Sequence, residues 1–551
     1  MHADLILTNA HVYAVDAARS HHEAVAVAGG RILAVGSAAD VAALRGPRTE
    51  TIDLGGRLVL PGFIDAHMHP RYAVCEAFEV DLAACTSIDE CVHEVARFAA
   101  AHPDAPAIRG WGWGPAAVPE AQMTAAALDA VVPGRPVALY DDSQHMQWVN
   151  SRTLELARIT RETPDPPGGC IERLPGGAPS GLLRELYQRV EEALPPYGAG
   201  AREEAARYFQ SKVAGPLGLT TVHEAGLTDA DGALDVYERL QAAGELTVRI
   251  CASYQIDPAP PLGEQVAAAV AARAAHTGAL VRVGAVKLFA DGVVEGHTGY
   301  LARPYDDRPG FPGEPMWAPP RLAEASAAAA AAGFQLHYHA IGDAAISLSL
   351  DAIAAARPRG AAAGARDMIT HLQVFPPHEF ARFAALGVSA LVQPYWFARY
   401  RDHHDQLYVP FLGAERAEHQ YPMRGFWEHG ILVASASDYP VSPPPDPLLA
   451  IQRGILRRDL QGRDENDVLW PAEAVTMERM IESFTINGAR ANFLERETGS
   501  IEAGKAADLV VLGGDILALP AEEIHEAHVQ LTLAGGRVVF AAGPFEGLAS
   551  G

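Results

Sequence analysis

The stretch PGFIDAHMHP, residues 61–70, sets two imidazoles, His67 and His69, one residue apart at the end of an apolar run that stops at Pro70. Side chains two apart on a strand point to the same face, so both rings project together. Pro70 has no backbone N–H to offer a ladder, which ends the strand there and puts the pair at its carboxyl end. In a barrel of parallel strands that end is where active sites are built. Two neutral imidazoles on a rigid strand suit a metal such as zinc, which takes nitrogen donors at about 2 Å. A pair of hydrogen-bonded loop histidines is the plainer alternative.

Downstream, short apolar runs recur around residues 62–67, 218–224, 246–252, 282–289, 334–339, 367–371, 388–393 and 431–438. Ala-rich helical stretches at 266–275, 325–332 and 352–365 fall between them and suit outer helices. Such alternation reads as βα units, and eight of them predict an α/β fold of the (β/α)8 TIM-barrel type. About 150 residues separate the first two runs, more than one crossover needs, which predicts a lobe inserted over about 71–215. Its segments IRGWGWGPAAVPE (108–120), DDSQHMQWVNS (141–151) and TPDPPGGCIERLPGGAPSG (163–181) read as ordered loops. Both chain ends are rich in short strands, so 1–60 and 491–551 predict two parts of one small β-sandwich, with 61–490 left to the barrel and its insertion.

The bulk composition narrows the partners. Sixty-eight acidic against 43 basic residues give a charge of −25, which repels phosphate backbones and anionic lipid and speaks against nucleic acid or a membrane surface as partner. No apolar run reaches membrane-spanning length. The five cysteines, Cys75, Cys85, Cys91, Cys170 and Cys251, form no CxxC pair, as expected of reduced thiols in a cytoplasmic protein. A small-molecule substrate is expected, and a homodimer as the commonest assembly.

Other predicted strands also end in side chains able to bind metal or move protons. VRVGAVKLFADG (281–292) carries Lys287 and Asp291, FQLHYHAIGD (334–343) carries His337 and His339, DMITHLQ (367–373) carries His371, and LVASASDYP (432–440) carries Asp438. With the opening pair, that makes five strand ends converging on one mouth.

These segments carry a family resemblance. LPGFIDAHMHP, VKLFADGVVEGHTGYL, LHYHAIGDAAI, ITHLQ, SDYPV and the C-terminal GSIEAGKAADLVVL occur in order. With them the chain resembles the amidohydrolase superfamily, and within it the YtcJ-like, amidohydrolase family 3 group, over nearly its whole length. GWGWG, NSRTLELARIT and TPDPPGG in the insertion are similar to that group as well. The resemblance implies that His67, His69, His339 and His371 ligate Zn2+ or another divalent metal, one ion or two. It implies that Lys287 can take up carbon dioxide as a bridging carbamate, and that Asp438 is the acid–base.

His337 shares a strand face with His339 and reads as support or core. Trp113, His145, His223, Glu295, His297 and Trp396 are candidates for contact with substrate. For His145, His223 and the tryptophans, with Trp111, Trp148, Phe289, Tyr300 and Tyr395, packing is the competing reading. Two departures from the group's pattern bear on specificity: Thr370 stands where an acidic residue is common, and Gly296 and His297 stand where Ser and Arg are common. Asp508, in GKAADLVVL, reads as a turn or capping residue with no part in chemistry.

A metal with an open position lowers the pKa of bound water from about 16 to near 7 and polarises a carbonyl. The expected reaction is therefore attack of metal-bound hydroxide on a C–N amide-type bond, with a fairly hydrophobic N-substituted amide or formamide favoured over a sugar or nucleotide. Deamination, and ester, lactone or carbamate cleavage, are the alternatives on the same scaffold, and a non-catalytic binding protein is the remote one. No G-x-S-x-G elbow, Walker loop or GxGxxG after a strand competes.

Overall fold

The computed structural model describes residues 2–197, 200–228, 232–357, 362–400, 403–442, 444–459 and 467–548. All eight apolar runs form strands: β1 (Phe63–Met68), β2 (Leu219–Leu227), β3 (Arg249–Gln255), β4 (Val281–Phe289), β5 (Gln335–Ala340), β6 (Met368–His371), β7 (Ser389–Val392) and β8 (Val433–Ser435). They make one parallel sheet in chain order, each strand beside the next. The seam between β8 and β1 is closed at the strand ends, where Asp438 N donates to His67 O at 2.9 Å and His69 N to Tyr439 O at 2.8 Å. The buried Asp65 carboxylate adds a bond from Ser437 N at 3.0 Å. The barrel is thus tied shut by the segments that carry His67, His69 and Asp438.

The helices follow from composition. Leu322, Ala325, Ser326 and Ala329 recur at i, i+3, i+4 and i+7 and are the buried stripe of helix Pro319–Ala331. Helix Leu262–Ala275 takes up the run at 266–275. Of the run at 352–365, residues 352–356 close helix Asp343–Ala356, and 358–361 lie outside the described residues.

The chain ends build a sandwich of two sheets, one of four strands from residues 5–53 and one of six strands that joins Leu58–Pro61 to Leu509–Leu512. Alternation explains why both of those runs are apolar throughout. Val59, Leu509 and Val511 point into the sandwich core, while Leu58, Leu60, Val510 and Leu512 point into the barrel's core. These two central strands of the six-stranded sheet are therefore buried on both faces.

The insertion overturns the loop reading of its glycine-rich segments. Ile108–Trp113, Val137–Asp141, Met146–Val149, Cys170–Arg173 and Pro179–Arg184 are strands of a six-stranded mixed sheet. Glycine here admits close neighbours rather than breaking the strand: a Cβ on Gly110 would lie 2.9 Å from Leu139 Cδ2 and 3.0 Å from Val80 Cβ. No described helix is long and apolar enough to cross a membrane.

Candidate active site

Strand β1 delivers His67 and His69 to the mouth of the barrel, and the chain leaving β8 delivers Asp438 against them. Asp438 Oδ1 lies 3.1 Å from His67 Nε2 and 3.2 Å from His69 Nε2. Among the described residues these three form the group whose ligand atoms all lie within 4.8 Å of one another. Lys287 Nζ is 3.4 Å from His67 Nε2, and the lysine is fully buried. His371 packs its ring 5.2 Å from that of His67 and 4.4 Å from that of His339, measured between centroids. His339 Nε2 is turned to the carbonyl of Gly292 at 3.0 Å.

The protonation of this cluster is set by burial. Loss of solvent holds His67 and His339 far below the ordinary imidazole value and brings His69 to about 4 and His371 to about 3. All four are neutral at pH 7, the form that ligates metal. Burial likewise pushes Lys287 down to about 7. Burial alone would raise Asp438, but the electrostatic pull of His371, the hydrogen bond from His69 and the neighbouring Lys287 outweigh it and hold the carboxyl below its ordinary range, so it is ionised.

The donor set fits a divalent cation. Asp438 Oδ1 and His371 Nδ1 are buried and make no well-formed hydrogen bond among the described residues, a costly condition for a protein with nothing to bind there. His371 and Asp438 also sit in the left-handed backbone region, with φ of 77° and 60°. Such conformations cost about 1–3 kcal/mol each and persist where the surroundings impose them, commonly at functional sites. His67, His69, His371 and Asp438 would hold the ion, with Lys287 beside it.

Two cavities meet at this cluster, one of about 190 Å3 and one of about 450 Å3, and both are walled by His145, His339, His371 and Asp438. His145 comes from the inserted lobe, with Nδ1 2.8 Å from Glu185 Oε2 and its ring 5.1 Å from His339. Trp396 walls the larger cavity and stacks on His371, and Glu295 lines the same cavity and accepts from the Tyr408 hydroxyl.

Three substrate-contact candidates lie elsewhere. Trp113 is wholly buried in the core of the inserted sheet with Trp148, where large apolar area outweighs any pocket role. His297 pairs with Asp307 at 2.8 Å and packs on Tyr305 and Phe411, away from both cavities. His223 lies beneath the site, bonded to Ser253 and Asn492. Asp508 makes a turn hydrogen bond as read, accepting from Gly535 N, and in addition it is buried, pairs with Arg249 of β3 at 3.0 Å and accepts from Thr498, so it binds the sandwich to the barrel.

Comparison with known proteins shows the family. The amidohydrolase family profile matches residues 50–540. The chain belongs to the amidohydrolase family. It is 30% identical over 502 residues to amidohydrolase YtcJ of Bacillus subtilis, covering 90% of this chain and 91% of that one. It is equally 30% identical over 546 residues to the N-substituted formamide deformylase of Arthrobacter pascens, covering 97% of each. An uncharacterized metal-dependent hydrolase from Pyrococcus horikoshii OT3 shares the fold with a TM-score of 0.73 at 22% identity, covering 94% of this chain and 99% of that one. As an amidohydrolase the chain is a hydrolase.

Several residues at the amidohydrolase site carry no sequence signal of their own. Glu185, Gln144 and Tyr187 reach the smaller cavity from the insertion, outside every predicted barrel strand. Asp291 was visible at the end of β4 but had no role; it accepts from the backbone of Tyr300, Ile341 and Gly342 at 2.8–2.9 Å and fixes the ends of β4 and β5 to each other. Arg71, two residues after His69, donates to the buried Glu224 of β2. Its place right after the histidine pair was the one available hint.

Proposed function

We propose that this amidohydrolase is metal-dependent and cleaves a C–N amide-type bond, with an N-substituted amide or formamide as substrate. The observation that carries the reading is the group of His67, His69 and Asp438, two neutral imidazoles and an ionised carboxylate whose ligand atoms all lie within 4.8 Å of one another, with Asp438 Oδ1 left without a well-formed hydrogen bond among the described residues. Zn2+ is the preferred ion for such nitrogen and oxygen donors; when bound it would polarise the substrate carbonyl and make water acidic enough to attack at neutral pH.

The protein's own groups do the rest. Asp438, ionised and within reach of both cavities, takes the proton from the attacking water and returns it to the departing nitrogen at the same carboxylate. Lys287, buried and with a depressed pKa, keeps an unprotonated amine population of the kind that takes up carbon dioxide. His145 lines both cavities from the lobe, where it would meet the bound substrate. Trp396, Tyr395 and Tyr421 give the larger cavity an aromatic wall, which favours an apolar N-substituent over a sugar. The deformylase of Arthrobacter pascens, matched along its whole length, supports the same bond type.

Zinc analysis of the purified protein, followed by a panel of formamides, N-substituted amides, esters and aminoheterocycles, tests this. Stoichiometric zinc with release of amine and acid is expected. Ammonia released from aminoheterocycles alone, or turnover of esters alone, would replace the amide reading by deamination or ester cleavage.

A further inference from the structure

Beneath the site, four buried or half-buried side chains, three from β2, β3 and β5 and one from the residue that caps helix Ile486–Ala491, run in one line behind His67. His67 Nδ1 lies 2.7 Å from His337 Nε2, and His337 Nδ1 lies 2.8 Å from Ser253 Oγ. Ser253 Oγ lies 2.6 Å from His223 Nε2, and His223 Nδ1 lies 2.6 Å from Asn492 Oδ1. The line ends where Asn492 Nδ2 donates to Gly488 O at 2.9 Å. Because β1 and β5 are not neighbours in the sheet, the His67–His337 contact crosses the barrel's interior.

The donor and acceptor inventory gives this line a direction. Gly488 O is a carbonyl and only accepts, so the amide nitrogen of Asn492 faces it and the amide oxygen faces His223. His223 must then carry its proton on Nδ1 and present a lone pair at Nε2. His223 and His337 are wholly buried and hydrogen-bonded to the neutral side chains of Asn492 and Ser253, an environment that disfavours a second proton, so each ring carries one. The Ser253 hydroxyl donates to that lone pair and accepts from His337 Nδ1. His337 in turn presents a lone pair at Nε2, into which His67 donates from Nδ1. The lone pair of His67 is left at Nε2, aimed at Asp438 Oδ1 and Lys287 Nζ. An ammonium or amine at 3.4 Å suits a lone pair there; a carboxylate oxygen at 3.1 Å calls for a cation between.

We infer that His337, Ser253, His223 and Asn492 form a relay that fixes the tautomer of His67, so that its Nε2 is held ready to ligate the metal. They are positioning residues: none belongs to the ligand group, and Asn492 acts on His67 through three others. Fixing a ligand histidine through its far nitrogen is a general device, and losing such a partner costs about 10–100-fold in metal affinity. The inference rests on the proposed metal reading for its purpose, while the tautomer is a property of the metal-free protein.

Without the Ser253 hydroxyl, His337 is free to carry its proton on Nε2. That proton would meet the one on His67 Nδ1 and drive the His67 lone pair inward, away from the site. The test uses the full-length protein labelled with 15N-histidine and compares wild type with Ser253→Ala, Ser253→Thr and Asn492→Leu. In metal-free wild type the His67 signal, assigned by its loss in His67→Gln, should report a protonated Nδ1 and an unprotonated Nε2. Zinc affinity, measured by chelator competition, should fall about 10–100-fold in Ser253→Ala and fall in Asn492→Leu as well, while Ser253→Thr, which keeps the hydroxyl, stays within about 3-fold of wild type.

Asn492 is only half-buried, so its variant reports even if a change at the wholly buried Ser253 disturbs folding. A His67 protonated at Nε2 in wild type would overturn the relay, as would Asn492→Leu protein with unchanged His67 shifts and unchanged zinc affinity. Failure of wild type to bind zinc, with the His67 tautomer as assigned here, would instead strike the metal reading and leave the relay standing.

Discussion

Glu185 of the inserted lobe holds His145 by a 2.8 Å contact from Oε2 to Nδ1, while its other oxygen accepts the barrel hydroxyl of Thr298 at 2.7 Å. Gly292 makes room for the arrangement, since a Cβ there would stand 2.0 Å from Glu185 Oε1. One carboxylate thereby fixes the lobe's imidazole over His339 and pins the lobe to the barrel.

This pair has a pH signature. Burial alone would lower the His145 pKa, but the Glu185 charge and hydrogen bond outweigh it and raise it to about 9. A raised folded-state value means that the stabilisation is complete below the unfolded value of about 6.5 and is lost as pH rises through about 9. In Glu185→Gln the charge is gone and burial prevails. The melting-temperature gap between wild type and Glu185→Gln should therefore be widest at pH 6 and shrink steadily toward pH 9.5. A gap independent of pH would assign Glu185 to packing alone.

Removal of the metal should cost stability as well as activity. When the ion leaves, Asp438 Oδ1 and His371 Nδ1 remain buried without a well-formed hydrogen bond among the described residues, beside His67 and His69. Dialysis against a chelator is expected to lower the melting temperature, and zinc to restore it. When free zinc exceeds its Kd about 1,000-fold, the added stability is about 4 kcal/mol. Calorimetry with and without zinc reads the difference directly.

Asp438→Asn tests the proton carrier. The amide keeps the shape and one acceptor oxygen but is not basic, so kcat should fall by about 10²–10⁴-fold with KM little changed. Circular dichroism and zinc content of the variant distinguish a chemical loss from a collapsed site.

How much of this was legible beforehand varies with the physics of each residue. The barrel strands were readable because a strand covered on both faces is a continuous apolar run, and each of the eight begins and ends within a few residues of its run. His67, His69, Lys287, His371 and Asp438 were readable as a group because each stands within three residues of the carboxyl end of one of those strands. Glu185 and Tyr187 were not, since they reach the site from the inserted lobe, just past its strand Pro179–Arg184, and no local pattern encodes how that lobe docks. Trp113 misled because an aromatic beside glycines looks like a pocket rim, whereas here glycine lets neighbouring strands close over a packed indole. Ser253 and Asn492 are ordinary residues in the sequence and acquire meaning only through the line they join.

Gly342→Ala probes the turn after β5. A Cβ at Gly342 would lie 2.0 Å from Tyr300 O and 2.5 Å from Tyr300 C, both backbone atoms that cannot swing aside. Tyr300 N is also bound to Asp291, which bonds Gly342 N in the same cluster. Overpacking costs about 1–3 kcal/mol where side chains can yield, and the upper end or more is expected here. Urea unfolding of the variant measures it; a loss below about 0.5 kcal/mol, the range of ordinary surface changes, would mean that the β4 loop moves freely.

Trp396→Ala asks what the larger cavity recognises. The indole stacks on His371 with centroids 5.6 Å apart at 20°, and its Nε1 donates to Ser442 Oγ at 2.8 Å, so it is held on both sides. A held aromatic surface beside a ligand histidine can grip an apolar substituent without first losing its own freedom. Removing it should cost about 1–3 kcal/mol of binding to an N-aryl or N-benzyl substituent, or about 5–150-fold in kcat/KM. N-methylformamide, too small to reach the wall, should change by less than about 3-fold. An equal loss for both substrates would mean that Trp396 acts by steadying His371, and zinc affinity would then fall in step; a selective loss with unchanged zinc assigns the larger cavity to the N-substituent.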